Sequence, residues 1–117
     1  MAHDHIMTNA SIVAPGVSFR ELSEGGHHVP EIYVAQHYGS RFHGVGLCDE
    51  WPAIKYQIDW EERGYDGVLE AGMMLCVEAY IGEVGGPDGI KLEDQLLVTE
   101  DGFENMVSCP FDPLLMG

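Results

Sequence analysis

Two glutamates, Glu78 and Glu93, are the residues whose types and spacing first suggest chemistry in this sequence. They lie in two apolar, strand-like runs, 73–81 and 90–98, joined by a segment rich in glycine, proline and aspartate. A turn in the middle of that segment would make the two glutamates direct cross-strand partners. Opposed positions of an antiparallel pair have Cβ atoms roughly 4.5–5.5 Å apart, and like charges there destabilise the pair. The hairpin therefore needs a source of positive charge.

Strand alternation places Glu78 on a face whose other residues are apolar or weakly polar. That face carries Met74, Cys76, Glu78 and Tyr80, and the opposite face carries Met73, Leu75, Val77, Ala79 and Ile81. A lone buried carboxylate must protonate or find a partner. In one interpretation, the sheet face is half exposed and Lys91 neutralises one acid. In the other, the two carboxylates share a divalent cation, and the hairpin is one wall of a metal site.

The nitrogen donor that such a site needs is His43, in the motif His43-Gly-Val-Gly46. The flanking glycines let the backbone bend sharply and let another segment come close. A histidine in a simple turn is the alternative. One imidazole with two carboxylates is an oxygen-rich ligand set, which suits Mn, Fe, Co or Zn more than it suits a structural thiolate zinc.

Asp49 is a candidate base because it follows His43 around a glycine-rich bend and could face the same cavity. A metal that binds a substrate carboxylate makes the neighbouring proton more acidic, and a base must lie within hydrogen-bond reach of that proton. Asp49 could instead cap a turn before Trp51 and Pro52. Trp51 could attract a cation to its ring or could pack against a neighbour.

The elements that must position these residues come in the order helices first, hairpin second, which predicts an α+β fold. Helices are predicted over 2–13, from the capping box Ser18–Glu21, and from Pro30 to about Gln36. Residues 37–52 are predicted to form a strand or bend followed by a loop. Loops or turns are predicted over 53–68 and over 99–102, and the tail from Cys109 has no helical period. The 117 residues have the length of one domain.

The composition narrows the class of partner. There are 20 Asp and Glu against 5 Lys and Arg, for a net charge of −15, and phosphate binding would need clusters of basic residues. We therefore expect no nucleic-acid partner. The three cysteines have no CxxC spacing, the N-terminus lacks a signal-peptide core, and no apolar run is long enough to span a membrane. A soluble, cytoplasmic protein with no membrane partner is predicted.

Three motifs in order resemble the C-terminal half of the pita-bread metalloenzymes, the family of methionine aminopeptidase, aminopeptidase P, prolidase and creatinase. They are HGVG (43–46), LEAGMMLCVE (69–78), and IKLED followed by LLVTEDG (90–102). The resemblance implies helices packed on a curved antiparallel sheet. It also implies two divalent metal ions (Fe, Mn, Co or Zn), with His43, Glu78 and Glu93 among their ligands.

The resemblance is greatest to the dimethylsulfoniopropionate lyase branch, through the pattern from Tyr38 to Pro52. The peptidases carry a second histidine seven residues after the metal-binding one, where this chain has Glu50. This branch cleaves its small-molecule substrate to dimethyl sulfide and acrylate, and the matching positions imply Asp49 as catalytic base and Tyr38 as an active-site residue. An Xaa-Pro peptidase-type metallohydrolase and a non-catalytic remnant are the alternatives.

The family's aspartate ligands come from strands that precede the matched region. We therefore expect residues 1–117 to be the C-terminal part of one pita-bread catalytic domain, a truncated fragment that is inactive alone and offers three of the expected ligands. The resemblance further implies a homodimer for the full-length enzyme.

Overall fold

The computed structural model describes residues 1–116 of the chain. The helices in this range are α1 (Ala2–Ala10), α2 (Phe19–Gly25), α3 (Glu31–Val34), α4 (Trp60–Arg63) and α5 (Pro113–Met116). The strands are β1 (Phe42–Gly44), β2 (Ala53–Ile54), β3 (Met74–Gly82), β4 (Gly89–Val98) and β5 (Phe103–Asn105). One turn of 3₁₀ helix, Gln57–Asp59, precedes α4.

The first two helices begin and end for reasons visible in the sequence. The capping box at the start of α2 is confirmed: the hydroxyl of Ser18 accepts from the backbone N–H of Glu21 at 3.2 Å, and the Glu21 carboxylate accepts from the backbone N–H of Ser18 at 2.8 Å. Helix α1 ends at Ala10, earlier than predicted. The chain still turns beyond it, because the N–H of Val13 donates to the carbonyl of Ala10 at 3.0 Å, and Val13 stays buried.

The five strands form one antiparallel sheet in the order β2-β1-β3-β4-β5. The predicted hairpin is confirmed, and so is its register, with Glu78 opposite Glu93. Strand β1 pairs with the other edge of β3, which sets His43 opposite Cys76. The histidine and both glutamates therefore come from three adjacent strands.

The core lies on the face of the hairpin that alternation predicted to be apolar. Leu75, Val77 and Ala79 of β3 are completely buried, and α1 contacts β3 and β4 and contributes Ile6 to the same core. Burying such apolar side chains contributes about 1.5–3 kcal/mol each, which is what holds the helices on the sheet. The opposite face of β3 is left for Cys76 and Glu78.

Residues 53–68 are more ordered than predicted. They contain β2, the 3₁₀ turn and α4, although the sequence shows no clear period there. Ile54, Tyr56 and Trp60 are each buried, so the core holds this segment in short elements that periodicity cannot reveal. The turn after β4 is present as predicted, since the N–H of Thr99 donates to the carbonyl of Gly102 at 2.9 Å.

Two further short elements were not predicted. Strand β5 extends the sheet by three residues, all of them exposed, so it carries no pattern of buried positions. One helical turn, α5, lies in the tail where no helical period was found. Within residues 1–116, no helix has both the length and the apolar character needed to cross a membrane.

Candidate metal centre

His43 lies in β1, whose three residues are all buried. Its Nδ1 lies 2.9 Å from the carbonyl oxygen of Gly44. Because a carbonyl oxygen can only accept a hydrogen bond, Nδ1 carries a proton, and Nε2 is the ring nitrogen that lies toward the carboxylates. Metal-binding histidines are commonly oriented by such a bond from the other ring nitrogen. The histidine belongs to a strand, and the alternative of a simple turn is wrong.

Gly44 explains why glycine follows this histidine. A Cβ atom at position 44 would clash with the carbonyl oxygen of Trp51. The N–H of Gly44 donates to the carbonyl of Pro52 at 2.7 Å across the same narrow gap. The close approach of the two backbones keeps β1 in place and with it the imidazole of His43.

The three predicted ligands converge. The Nε2 atom of His43 lies 3.3 Å from a carboxylate oxygen of Glu78 and 3.8 Å from one of Glu93. Glu78 is almost fully buried, at 1% exposure, and its second oxygen has no hydrogen-bond partner. Such an orphaned carboxylate oxygen is costly unless a cation or donor reaches it.

Lys91 also reaches this site, as the first interpretation of the sequence requires. Its ammonium lies 2.8 Å from Glu78 and 3.4 Å from Glu93. The hydrogen bond to Glu78 raises the pKa of Lys91, so the lysine stays charged. One ammonium leaves the two carboxylates with an excess negative charge, and it does not reach the orphaned oxygen of Glu78. The presence of Lys91 therefore does not exclude a divalent cation at this site, but the ammonium and the cation would compete for the carboxylates of Glu78 and Glu93.

Cys76 is a member of the site that sequence reasoning missed. Ligand atoms of His43, Cys76 and Glu93 all lie within 4.8 Å of one another. Burial raises the pKa of the Cys76 thiol to about 12, and a hydrogen bond to Glu93 adds to that effect. Burial also acts to raise the pKa of Glu93, but the side chains of Cys76, Glu78 and Lys91 around it bring its pKa below the usual value. Strand alternation in the sequence places Cys76 on the same face as Glu78, and this pattern could have identified the cysteine as part of the site.

This donor set fits a divalent metal ion. It offers the Nε2 atom of one imidazole, two carboxylates and a thiol that can orient one of them or bind in its own right. Imidazole and carboxylate together suit Mn, Fe, Co and Zn. The orphaned oxygen of Glu78 gives an independent reason for a cation here.

Tyr38 is brought to the edge of the site. Its half-buried ring lies beneath the ammonium of Lys91, 4.5 Å from the nitrogen to the ring centroid. This distance is in the range of a cation–π contact. Tyr38 is therefore linked to Glu78 through the lysine.

Asp49 is exposed and lies at a tight turn after β1. Its φ of 58° is left-handed, and its N–H donates to the carbonyl of Gly46 at 3.1 Å. Within residues 1–116, the Asp49 side chain makes no hydrogen bond and no ion pair. The Trp51 ring stacks on Tyr65 with centroids 4.6 Å apart and lines a pocket of about 300 Å³ that Met74 also lines.

The sequence of this chain is similar to those of known metalloenzymes. The profile of Metallopeptidase family M24 matches residues 2–100. A dimethylsulfoniopropionate lyase of Roseovarius nubinhibens is 57% identical over 116 residues, which cover 99% of this chain and 26% of the lyase. A Xaa-Pro dipeptidase of Pyrococcus furiosus is 34% identical over 100 residues, which cover 79% of this chain and 25% of that protein. The chain thus spans about a quarter of the length of the relatives it matches.

Solved structures agree on the fold. Dipeptidase PepE from Mycobacterium ulcerans superposes with a TM-score of 0.71 at 26% identity, over 93% of this chain and 28% of that one. A Xaa-Pro dipeptidase from Bacillus anthracis gives 0.73 at 25% identity, over 95% of this chain and 30% of that one. The predicted α+β architecture of the pita-bread proteins is thereby confirmed.

Proposed function

Because the chain belongs to the metallopeptidase family M24, we propose that residues 1–117 form part of one pita-bread catalytic domain and supply one wall of its metal centre. The proposed reaction is cleavage of dimethylsulfoniopropionate to dimethyl sulfide and acrylate. The observation that carries the choice of reaction is the 57% identity to a lyase of that name over 99% of the chain, against 34% to the dipeptidase.

The proposed cofactor is a pair of divalent ions, Fe, Mn, Co or Zn, to which His43, Glu78 and Glu93 contribute ligands. Support comes from the convergence of these side chains and from the unpartnered oxygen of Glu78. When bound, such ions supply Lewis acidity that polarises a substrate carboxylate. The register of the hairpin keeps both acids side by side, and the hydrogen bond of His43 to its own strand keeps Nε2 toward them.

In the proposed elimination, Asp49 acts as the base and removes a proton from the carbon next to the substrate carboxylate. The electron pair of that C–H bond forms the double bond of acrylate, and the bond between sulfur and its carbon breaks. Both electrons leave with sulfur, so the cationic sulfonium becomes neutral dimethyl sulfide, and the proton stays on Asp49. We assign Tyr38 to the active site. We also propose that the ring of Trp51, which is 60% exposed, binds the substrate's sulfonium by cation–π attraction.

A Xaa-Pro metallohydrolase is the second candidate, favoured by the dipeptidase relative and by the dipeptidase structures. It would use the same metal ligands. Position 50 weakens this candidate, because Glu50 is exposed and lacks the imidazole that the peptidase pattern would need there. Hydrolysis of Xaa-Pro dipeptides, measured beside acrylate release, separates the two reactions.

We propose a cytoplasmic homodimer as the working form of the enzyme. The free thiols of Cys48 and Cys109, both exposed, favour a reducing compartment. The proposed partner is a small-molecule substrate. The net charge of −15 disfavours a nucleic-acid partner.

The test is a chimaera in which these 117 residues replace the matching segment of the Roseovarius lyase. We expect it to release acrylate and dimethyl sulfide and not to hydrolyse Xaa-Pro dipeptides. Asp49→Asn should lower turnover by about 10²–10⁴-fold with metal content unchanged, because the base is lost and the ligands remain.

Two further variants complete the design. Glu78→Gln should lose metal and activity together, whereas Asp66→Asn, at an exposed position, should lose neither. A folded, metal-loaded chimaera that cleaves only dipeptides would favour the hydrolase. One that cleaves neither substrate would favour a non-catalytic role.

A further inference from the structure

A second group of buried polar side chains lies outside the candidate metal centre. It comprises His5, Asn9, His27, Arg41 and Tyr56, and we call it the Arg41 cluster. Each of these residues has at least one buried nitrogen or oxygen without a hydrogen-bond partner in the described chain. Most buried polar groups in folded proteins are satisfied, so such a concentration requires an explanation.

The cluster is held together by specific contacts. The guanidinium of Arg41 donates to the side-chain oxygen of Asn9 at 3.2 Å and lies over the Tyr56 ring, 4.9 Å from its centroid. The same oxygen of Asn9 accepts from the N–H of His27 at 2.8 Å. A Cβ atom at Gly26 would overlap the guanidinium, so this glycine leaves the space that Arg41 occupies. The arrangement is a built site and not a loose surface.

Arg41 is a buried cation without an acid. It is 2% exposed, and none of the ion pairs among residues 1–116 includes it, although the chain has 20 Asp and Glu. Its Nε has no hydrogen-bond partner. A buried charge that is left uncompensated is strongly destabilising. The electrostatics of the cluster therefore favour a negative guest.

A pocket beside the guanidinium limits the size of that guest. Its volume is about 40 Å³, and both Arg41 and Tyr56 line it. Polar side chains of His28 and Gln57 line it as well, and no carboxylate does. Such a volume accommodates a small species, such as a halide ion or a few water molecules.

We propose that the Arg41 cluster binds one small monovalent anion, of the size of chloride or bromide. The cation that pairs with this anion is the guanidinium of Arg41, which lines the pocket. This anion site uses side chains other than the proposed metal ligands, although the carbonyl of Arg41 accepts from the N–H of Glu78 at 3.1 Å. The proposal does not depend on the proposed reaction. Its effect is to neutralise the guanidinium and to join α1 to the segment that carries β1 and Tyr56.

The first measurement is thermal unfolding of the 117-residue chain in chloride and in gluconate at equal ionic strength. Because the anion binds the folded state, each tenfold increase in chloride above its Kd should raise Tm by about 4–8 °C beyond the rise seen in gluconate, which reports charge screening alone. Equal Tm values in the two salts at all concentrations would overturn the proposal.

A matched pair of variants locates the effect. Arg41→Gln should abolish the difference between chloride and gluconate, whereas Arg20→Gln, which removes the same charge from a half-exposed ion pair with Glu24, should keep it. A chloride effect that survives in Arg41→Gln would place the anion elsewhere and refute the site.

If Arg41→Gln does not fold, the wild-type chain still gives a decision. Chlorine NMR should show broadening of the chloride line that bromide competes away, and crystals soaked in bromide should show an anomalous peak in the pocket beside the guanidinium of Arg41. An ordered water at that position with no halide signal means that the pocket serves only hydration, and the proposal fails.

Discussion

At the scale of single residues, Lys91 and a divalent cation would compete for the carboxylate of Glu78 in the candidate metal centre. The carboxylate is buried, it touches His43 and Lys91, and one of its oxygens is unpartnered. The lysine alone leaves the acids under-neutralised, and a divalent cation would complete the balance of charge. Lys91 is thus the residue that sets how strongly the acids are available to a metal.

We expect Lys91→Gln to lower the free energy of unfolding without metal and to enlarge the stabilisation by added Mn²⁺ or Co²⁺. The reason is that Glu78 loses its cation but not its burial, so a metal recovers more on binding. Calorimetric titration and thermal unfolding with and without metal measure both effects. Arg63→Gln, which removes an exposed charge, is the control; equal metal responses in all three proteins would contradict the prediction.

His5 predicts a dependence of stability on pH. Its burial, with added repulsion from Arg41 and His27, lowers its pKa from 6.5 to about 3. Between these values the unfolded chain binds the proton and the folded chain does not, so stability is full above pH 6.5 and falls as the pH drops toward 3. The slope contributed is at most about 1.4 kcal/mol per pH unit.

Urea unfolding of wild type and His5→Phe at several pH values, in gluconate, measures this contribution. The free energy of unfolding of His5→Phe should fall less steeply than that of the wild type as the pH is lowered. Identical slopes would mean that folding does not change the pKa of His5.

At the scale of elements, the site depends on how closely β1 approaches the segment before β2. Only the backbone of Gly44 fits against the carbonyl of Trp51, and His43 is its immediate neighbour. A displaced β1 would move the imidazole away from the acids of β3 and β4. The position of one ligand is therefore set by a residue that binds nothing.

Gly44→Ala should destabilise the chain by about 1–3 kcal/mol, as overpacked sites do, and weaken metal binding as well. Gly46→Ala, two residues further along the chain, is a matched control, because a Cβ atom there meets nothing within 4 Å. Chemical unfolding and metal titration test the pair. The prediction fails if the two alanines behave alike.

The elements differ in how much of them the sequence reveals. The hairpin and its register follow from apolar alternation and turn residues, and the start of α2 from the serine and glutamate of its capping box. Strand β2, α4 and β5 are too short or too exposed to show a period, because tertiary contacts and sheet pairing place them. In the site, cross-strand geometry brings Glu78 and Glu93 together and alternation adds Cys76, but the approach of Lys91 and Tyr38 depends on side-chain conformations.

At the scale of the whole molecule, charge is the dominant feature. A net charge of −15 on 117 residues makes the folded chain repel itself, since compact states bring like charges closer. Neutralisation by counter-ions therefore adds to the effect of any bound metal.

We expect sodium gluconate to raise the Tm of the chain as it screens this repulsion over a Debye length of about 10 Å at 0.1 M. A triple variant, in which exposed Glu83, Glu100 and Glu104 become glutamine, should start from a higher Tm and respond less. Thermal unfolding across a salt series measures both quantities. An unchanged salt response in the triple variant would show that the repulsion lies elsewhere.

The proposed ligands are contributed by three neighbouring strands, one from each of β1, β3 and β4. A cation held by all three would act as a cross-link perpendicular to the backbone direction, so that none of these strands could open alone. Amide hydrogen exchange in β1, β3 and β4 would then slow as one cooperative unit on loading, while β2 and β5 at the edges would keep their own, faster opening.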